Sequence, residues 1–293
     1  MAFQSVSLQM LLKTRLLLAA LLFSLAAHAQ PQSTVYEGEF GITFGAAHYF
    51  GDLNNSTALN RPKLAVGAFF RKQFGGYVGV RVGAHFAQLG YSDIYSDNEF
   101  QQRRNLSFNT NIFELALQGD FNFFRFEPGN PDYAFTPYVT IGVGMFNYDP
   151  YAFLDGQKHF LRPLGTEGQG SSLYPERQAY SNVAVCFPIG MGIKYNLRNN
   201  INLSFEISHR FTGTDYLDDV STTYAGQDAF PVQPNGQPSI AFLLQDRSYE
   251  TGTPIGEAGR QRGFSSQRDR YIFAEVGLSI AITSYRCPTA NPR

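Results

Sequence analysis

From Tyr36 onward the chain repeats one signal: apolar side chains at every second position, in eight separate stretches. Alternation with period two places one kind of side chain on each face of a β-strand. The stretches are 36–50, 64–74, 77–88, 106–123, 136–147, 183–195, 201–212 and 271–285. In the first, Tyr36, Phe40, Ile42, Phe44 and Phe50 share one face, and Glu37, Glu39 and Thr43 share the other. In the sixth, Val185, Phe187, Ile189, Met191 and Ile193 oppose Ala184, Gly190, Gly192 and Lys194. The repeat predicts an all-β chain, and no stretch beyond residue 30 has the 3.6-residue period of an amphipathic helix.

The second face decides between a soluble sheet and a membrane barrel. It combines Gly, Ala and Ser with Glu37, Glu39, Arg71, Arg81, Glu114, Asp120, Lys194, Glu206, Arg210 and Glu275. A sheet face bathed in water favours long polar side chains throughout, because glycine weakens a strand. A narrow barrel interior needs small residues beside charges of both signs, since space is short and buried ions must pair. The other face carries large apolar side chains with rings toward the strand ends, as a lipid band with aromatic girdles does. Composition agrees: aromatics are 15% of the 293 residues and charged residues 16%, against about 25% charged in a typical soluble domain. Mean hydropathy is -0.21, which excludes a bundle of membrane helices. The net charge of -1 gives no electrostatic case for nucleic acid.

Connection lengths set the topology. Those at 75–76, 124–135 and 196–200 are short or moderate, and those at 51–63, 89–105, 148–182 and 213–270 are long. An even strand count with short turns at one end and long loops at the other defines an eight-stranded antiparallel transmembrane β-barrel with long extracellular loops. Both chain ends then lie in the periplasm of a Gram-negative bacterium, with the barrel in the outer membrane and its lipid as surroundings. An interior of this size is just wide enough for side chains to fill, which argues against a diffusion porin. Lys72, near a strand end, is placed to snorkel to the interface, and His209 lies near the outer rim.

The first thirty residues carry an export signal. Lys13 and Arg15 precede an apolar run at 16–27, and Ala27-His28-Ala29 matches a cleavage site. The expected signal peptide is 1–29, cut between Ala29 and Gln30, leaving 30–293 as a single barrel domain. The apolar run is too short for a membrane anchor. Cys186 falls inside a strand and Cys287 beyond the last one, so a bridge between them is not expected, nor a metal site.

The chemistry-bearing candidates are few. Gly165-Thr166-Glu167-Gly168-Gln169-Gly170 lacks the Gly-Lys-Ser/Thr ending of a phosphate loop and reads as a flexible loop. Asp215, Asp218 and Asp219 could offer oxygens to a hard cation, but their spacing matches no calcium loop, and a solvated acidic loop start is the plainer reading. A lipid-modifying barrel needs a nucleophile and a base together. His209 is the best base, yet the adjacent Ser208 points to the opposite face. No enzyme, cofactor or metal is therefore expected. The charges of Arg81, Glu114, Glu206 and Arg210 read as a barrel-interior ion-pair network rather than a proton path.

Several phrases resemble one family. Gly41-Ile42-Thr43-Phe44-Gly45-Ala46-Ala47-His48-Tyr49-Phe50-Gly51-Asp52-Leu53-Asn54 resembles the first strand and loop of the PorG-like outer-membrane barrels. Arg61-Pro62, Arg104-Asn105-Leu106-Ser107-Phe108 and Phe135-Thr136-Pro137-Tyr138 also resemble that family. The most specific matches are Pro163-Leu164-Gly165-Thr166-Glu167-Gly168-Gln169-Gly170 and Thr214-Asp215-Tyr216-Leu217-Asp218-Asp219-Val220-Ser221. The resemblance runs from about Tyr36 to Cys287. It implies an eight-stranded barrel associated with the type IX secretion system, attached to a periplasmic ring formed by a lipoprotein and a partner protein. It therefore implies a non-enzymatic secretion accessory. The alternatives are a general surface barrel whose outer loops bind a ligand or matrix, and a lipid-modifying enzyme working at the rim. Geometry would put the ring contact on 124–132, 196–200 or the tail after residue 285.

Overall fold

Among the described residues ten strands form in chain order: β1 (Thr34–Phe50), β2 (Lys63–Phe74), β3 (Val78–Ser92), β4 (Ser107–Asn122), β5 (Phe135–Asn147), β6 (Tyr151–Leu154), β7 (Gln157–Phe160), β8 (Val183–Arg198), β9 (Ile201–Thr212) and β10 (Arg270–Tyr285). The structure is a computed structural model that describes residues 34–56, 59–234 and 236–285. Ala29, Gln30 and Cys287 lie outside the described residues. The chain divides into two compact units: Tyr36–Ile282, which holds the barrel, and Met1–Val35 with Thr283–Arg293. In the second unit only the strand ends 34–35 and 283–285 are described.

Eight of the strands run in the order β3-β2-β1-β10-β9-β8-β5-β4, and a further β3–β4 pairing closes the ring. Closure leaves no edge with unpaired backbone groups, which is what a sheet needs in hydrocarbon. No helix among the described residues is long and apolar enough to cross a membrane. The eight sequence stretches coincide with these strands to within a few residues. The largest difference is at β3, which runs four residues past the expected end at 88 and stays paired with β4 up to Ser92↔Ser107, so that these two rise past the other strands. On that extension sits a small hairpin that periodicity did not reveal: β6 and β7, joined to β4 through Asn109↔Tyr151. Two six-residue helices, α1 (Glu99–Arg104) and α2 (Ile240–Gln245), lie in the long loops and are too short to show a helical period.

The wall separates two chemistries. Met191 is 68% exposed and Ile141 64%, whereas Arg71, Asp120 and Glu114 are all at 2% or below. Exposed apolar side chains recur on every barrel strand, far more than isolated surface residues would give, and together form a belt suited to lipid. The small interior residues make room for rings. A Cβ on Gly41 would lie 2.6 Å from Phe69, and one on Gly192 would lie 2.8 Å from Tyr138. Gly75, at φ +66°, sets a three-residue turn between the paired Phe74 and Val78, one residue longer than the Gly-Gly turn the sequence suggested.

One strand breaks its own alternation. Tyr36 was expected on the lipid face and Glu37 inside, but Tyr36 is buried in a cluster with Phe126 and Ala281. Glu37 instead pairs with Lys72 in a half-exposed bridge. The slip falls between Glu37 and Glu39, where Gly38 faces Lys72 and Glu39 faces Arg71. Exchanging the two side chains seals the short-turn end with rings and gives Lys72 an ionic partner, so it does not simply snorkel.

Candidate functional site

The lumen is built from side chains that alternate inward on β1 to β5 and β8 to β10. Arg81 on β3 donates to both oxygens of Glu206 on β9, at 2.7 and 3.0 Å, and Tyr138 donates to the same carboxylate at 2.6 Å. Arg210 on β9 meets both oxygens of Glu114 on β4 at 3.3 Å, and Tyr271 donates to Glu114 at 2.6 Å. The four network residues therefore form two pairs, Arg81–Glu206 and Glu114–Arg210. Among the described residues no ion pair joins one pair to the other.

A third group lies toward the short-turn end. Arg71 bridges Glu39 and Asp120, and Lys194 sits 3.6 Å from Asp120 and donates to Asn122 at 3.1 Å. Asn202 and Ser279 complete Glu39 at 2.6 and 2.7 Å. His85 stands between Glu114 at 3.6 Å and Glu275 at 3.5 Å. Cys186 is a free, buried thiol whose Sγ points at Glu114 from 3.7 Å. Nearly every lumen ion has a partner on another strand, so the pairs tie opposite walls together and fill the bore.

The long loops do not behave as the sequence suggested. The sequence suggests a flexible segment around Glu167 and solvated aspartates, yet Glu167, Asp218 and Asp219 are at most 1% exposed. Glu167 accepts from the backbone N–H of Ser221 at 2.9 Å and of Thr222 at 3.1 Å, and pairs with Arg262 at 3.0 Å. Thr166 donates to Asp219, and Arg262 also donates to the carbonyl of Asp219 at 2.6 Å. Arg104, at the end of α1, holds both oxygens of Asp93 at 2.7 and 2.8 Å and the carbonyl of Arg262 at 2.6 Å. Leu53, Leu89, Leu106, Leu161, Leu217 and Leu244 pack beneath these contacts. The loops thus form an ordered cap whose apolar residues share one core with strand residues such as Ala65, Ile112 and Phe273. Sequence reasoning missed Arg104, Glu167 and Arg262 because their partners lie far along the chain, up to 158 residues for Arg104.

At the base of the cap, acids outnumber cations. The Tyr49 hydroxyl lies 2.5 Å from Asp218 and 3.1 Å from Asp269. One phenol has one proton to donate, so serving both contacts requires a proton on a carboxyl. Burial, then the charge of Asp52, pushes Asp218 well above the usual carboxylate range, and burial, then Asp218 and Asp215, does the same to Asp269. Burial raises Asp52 to about 6 and Asp215 to about 7, and Asp219 to about 6. Among the described residues, no group of three His, Cys, Asp or Glu side chains is arranged to hold a metal.

His209 and Ser208 face opposite ways. Ser208 is buried against Arg210 in the lumen, while His209 lies on the lipid side between the rings of Phe50 and Phe211.

A closed eight-stranded antiparallel wall, an outward apolar belt and a filled ionic bore define an outer-membrane-type β-barrel. The chain belongs to the family described as "Domain of unknown function (DUF6089)", whose model matches residues 14–162. No curated protein matches the sequence. Among solved structures, the chain is similar to the attachment invasion locus protein Ail of Yersinia pestis, at 9% identity and a TM-score of 0.39, covering 84% of this chain and 99% of that one. It is similar to Neisserial surface protein A at 8% identity and TM-score 0.38, over 86% and 100% of the two chains. The outer membrane protein OprG from Pseudomonas aeruginosa gives 10% identity and TM-score 0.31, over 86% and 98%. These scores are low, and the architecture rests on the strand pairings themselves.

Proposed function

We propose that this barrel sits in the outer membrane of a Gram-negative bacterium as a non-enzymatic structural or accessory component of the type IX secretion system. The observation that carries the reading is the docking of two loop segments. The two phrases most like the PorG-like barrels, at 163–170 and 214–221, lie far apart in sequence yet meet through Glu167, Thr166 and Asp219. A resemblance scattered along the chain thus falls on one structural unit. The filled lumen supports a role carried by surfaces rather than by passage of solutes.

The contact with a periplasmic ring lipoprotein and its partner would fall at the short-turn end. There a recess of about 590 Å³ is lined by Tyr77, Phe124, Arg125, Tyr133 and Tyr195. Arg125 lies 4.6 Å from the centre of the Tyr133 ring and 3.0 Å from Glu127. Aromatic side chains and arginine are the types enriched at binding hot spots. Deleting the gene tests the reading: loss of secreted type IX cargo is expected, and normal secretion overturns it. Co-purification of ring proteins after replacement of both 124–132 and 196–200 would move the contact elsewhere.

The ordered cap favours a second reading, a general surface barrel whose outer loops bind a ligand or matrix. The rim-enzyme reading has less support, because Ser208 and His209 occupy opposite faces. An altered membrane lipid profile after His209→Ala would revive it.

A further inference from the structure

The lipid face carries a feature that a uniform apolar belt does not need. At the long-loop end a niche of about 300 Å³ is lined by Asn54, Asn55, Gln267 and Arg270 above Phe50 and Ile272. Below it a furrow of about 710 Å³ descends the wall, lined by Ile207, Ile189, Met191, Ile141, Gly119 and Phe121. His209 and Ile272 line both, so the polar niche opens directly onto the apolar furrow.

The strand register shows how far the furrow runs. Ile272 pairs with His209, His209 with Ile189, Ile189 with Ile141, and Ile141 with Gly119. His209 lies three residues from the long-loop end of β9, and Gly119 three residues from the short-turn end of β4. The row therefore crosses from the outer rim almost to the inner one, as strand tilt requires. The furrow can follow an acyl chain through the bilayer.

The niche has the matching charge. Among the described residues no carboxylate pairs with Arg270, and no acidic side chain lines the niche. The Nε2 of His209 has no hydrogen-bond partner among the described residues, so an unmet polar group sits at the junction. Guanidinium is the side chain best matched to a phosphate, and Asn55 and Gln267 add amide donors beside it.

We propose that this niche and furrow together bind one phosphorylated, acylated lipid of the outer leaflet, its phosphate at Arg270 and an acyl chain along the row from Ile272 to Gly119. The proposal rests on the membrane-barrel reading above. Gly119 offers a clean probe, because an added Cβ would meet only the Ile141 carbonyl oxygen, at 3.9 Å. A larger side chain there fills the furrow without disturbing the wall.

The test uses the full chain folded into phosphatidylcholine vesicles, with insertion checked by heat-modifiable gel mobility. Binding is then titrated with diphosphoryl hexa-acyl lipid A, its dephosphorylated form and inorganic phosphate. The native barrel is expected to take up one diphosphoryl lipid A and to bind the dephosphorylated form about tenfold more weakly. Arg270→Gln should produce a similar tenfold loss for the phosphorylated lipid and almost none for the dephosphorylated one. Gly119→Ile should weaken both lipids and leave gel mobility unchanged. Equal binding of both lipids by native and variant barrels overturns the proposal. Inorganic phosphate binding as tightly as the lipid, with Gly119→Ile silent, assigns the niche to a free anion and overturns the lipid assignment. Failure of the native chain to insert overturns the barrel reading itself, and the proposal with it.

Discussion

The lumen and the loop cap both bury carboxylates, and each compensates for them differently. In the lumen Glu39, Glu114, Asp120, Glu206 and Glu275 are set among Arg71, Arg81, Lys194 and Arg210, with His85 between two of the acids. Fixed cations answer fixed anions across the bore. In the cap, Asp218 and Asp269 share the Tyr49 hydroxyl and Asp215 takes the Ser221 hydroxyl, while Arg104 and Arg262 are directed at Asp93 and at Glu167. Backbone N–H groups and retained protons do there what arginines do inside. Phe264 donates to Asp52 at 3.0 Å, Leu217 to Asp269 at 2.8 Å and Val220 to Asp218 at 2.9 Å. The difference suits the two settings. A wall that cannot draw on water needs permanent counter-charges, whereas a cap at the water boundary can take up and release protons.

The largest expected effect lies in the lumen. Arg71→Met leaves Glu39 and Asp120 without their shared guanidinium and should cost about 3–5 kcal/mol in urea unfolding from vesicles. Adding Asp120→Asn to that variant should recover part of the loss. An Arg71→Met barrel as stable as the native one would mean that the lumen charges are not held by pairing.

In the cap the effects should be smaller and local. Glu167→Gln removes the charge that meets Arg262 and weakens the acceptor for Ser221 and Thr222, at a cost of about 1.5–3 kcal/mol. Hydrogen exchange should rise at 163–170 and 214–222 while the strands stay protected. Spread of exchange into β8 and β9 would show that cap and wall are one cooperative unit. Tyr49→Phe should cost about 1 kcal/mol near pH 8 and less near pH 5, where a protonated carboxyl can donate in its place. Equal loss at both pH values would remove the shared proton from the account.

The two regions were also unequally legible in the sequence. Barrel strands declare themselves because lipid on one side and a narrow bore on the other impose period two over a dozen residues. Even there, the exchange of Tyr36 and Glu37 left no trace, since one slipped residue at a strand end is invisible to an average. The inward direction of Arg81, Glu114, Glu206 and Arg210 could be read from alternation. Their pairing could not, because it depends on how far each strand is staggered around the ring. The cap was the least legible part. Glu167 and Ser221 are 54 residues apart, joined by contacts that repeat with no period. A Gly-rich phrase and an aspartate cluster look solvated until the fold brings them together.

Hydrogen exchange of the vesicle-folded chain at pH 5 and pH 8, corrected for intrinsic rates, tests the contrast most directly. Carboxyls raised above their usual range to about 6 for Asp52 and Asp219 and about 7 for Asp215 hold protons in the docked cap that the open cap releases. That contribution is complete below about pH 4 and is lost as pH rises through 6 to 7, by about tenfold in the docking constant per pH unit for each proton held. The strands should be protected equally at both pH values, and segment 214–221 should be protected at pH 5 but exchange faster at pH 8. A cap that is equally protected at both values, or more protected at pH 8, would contradict that contrast.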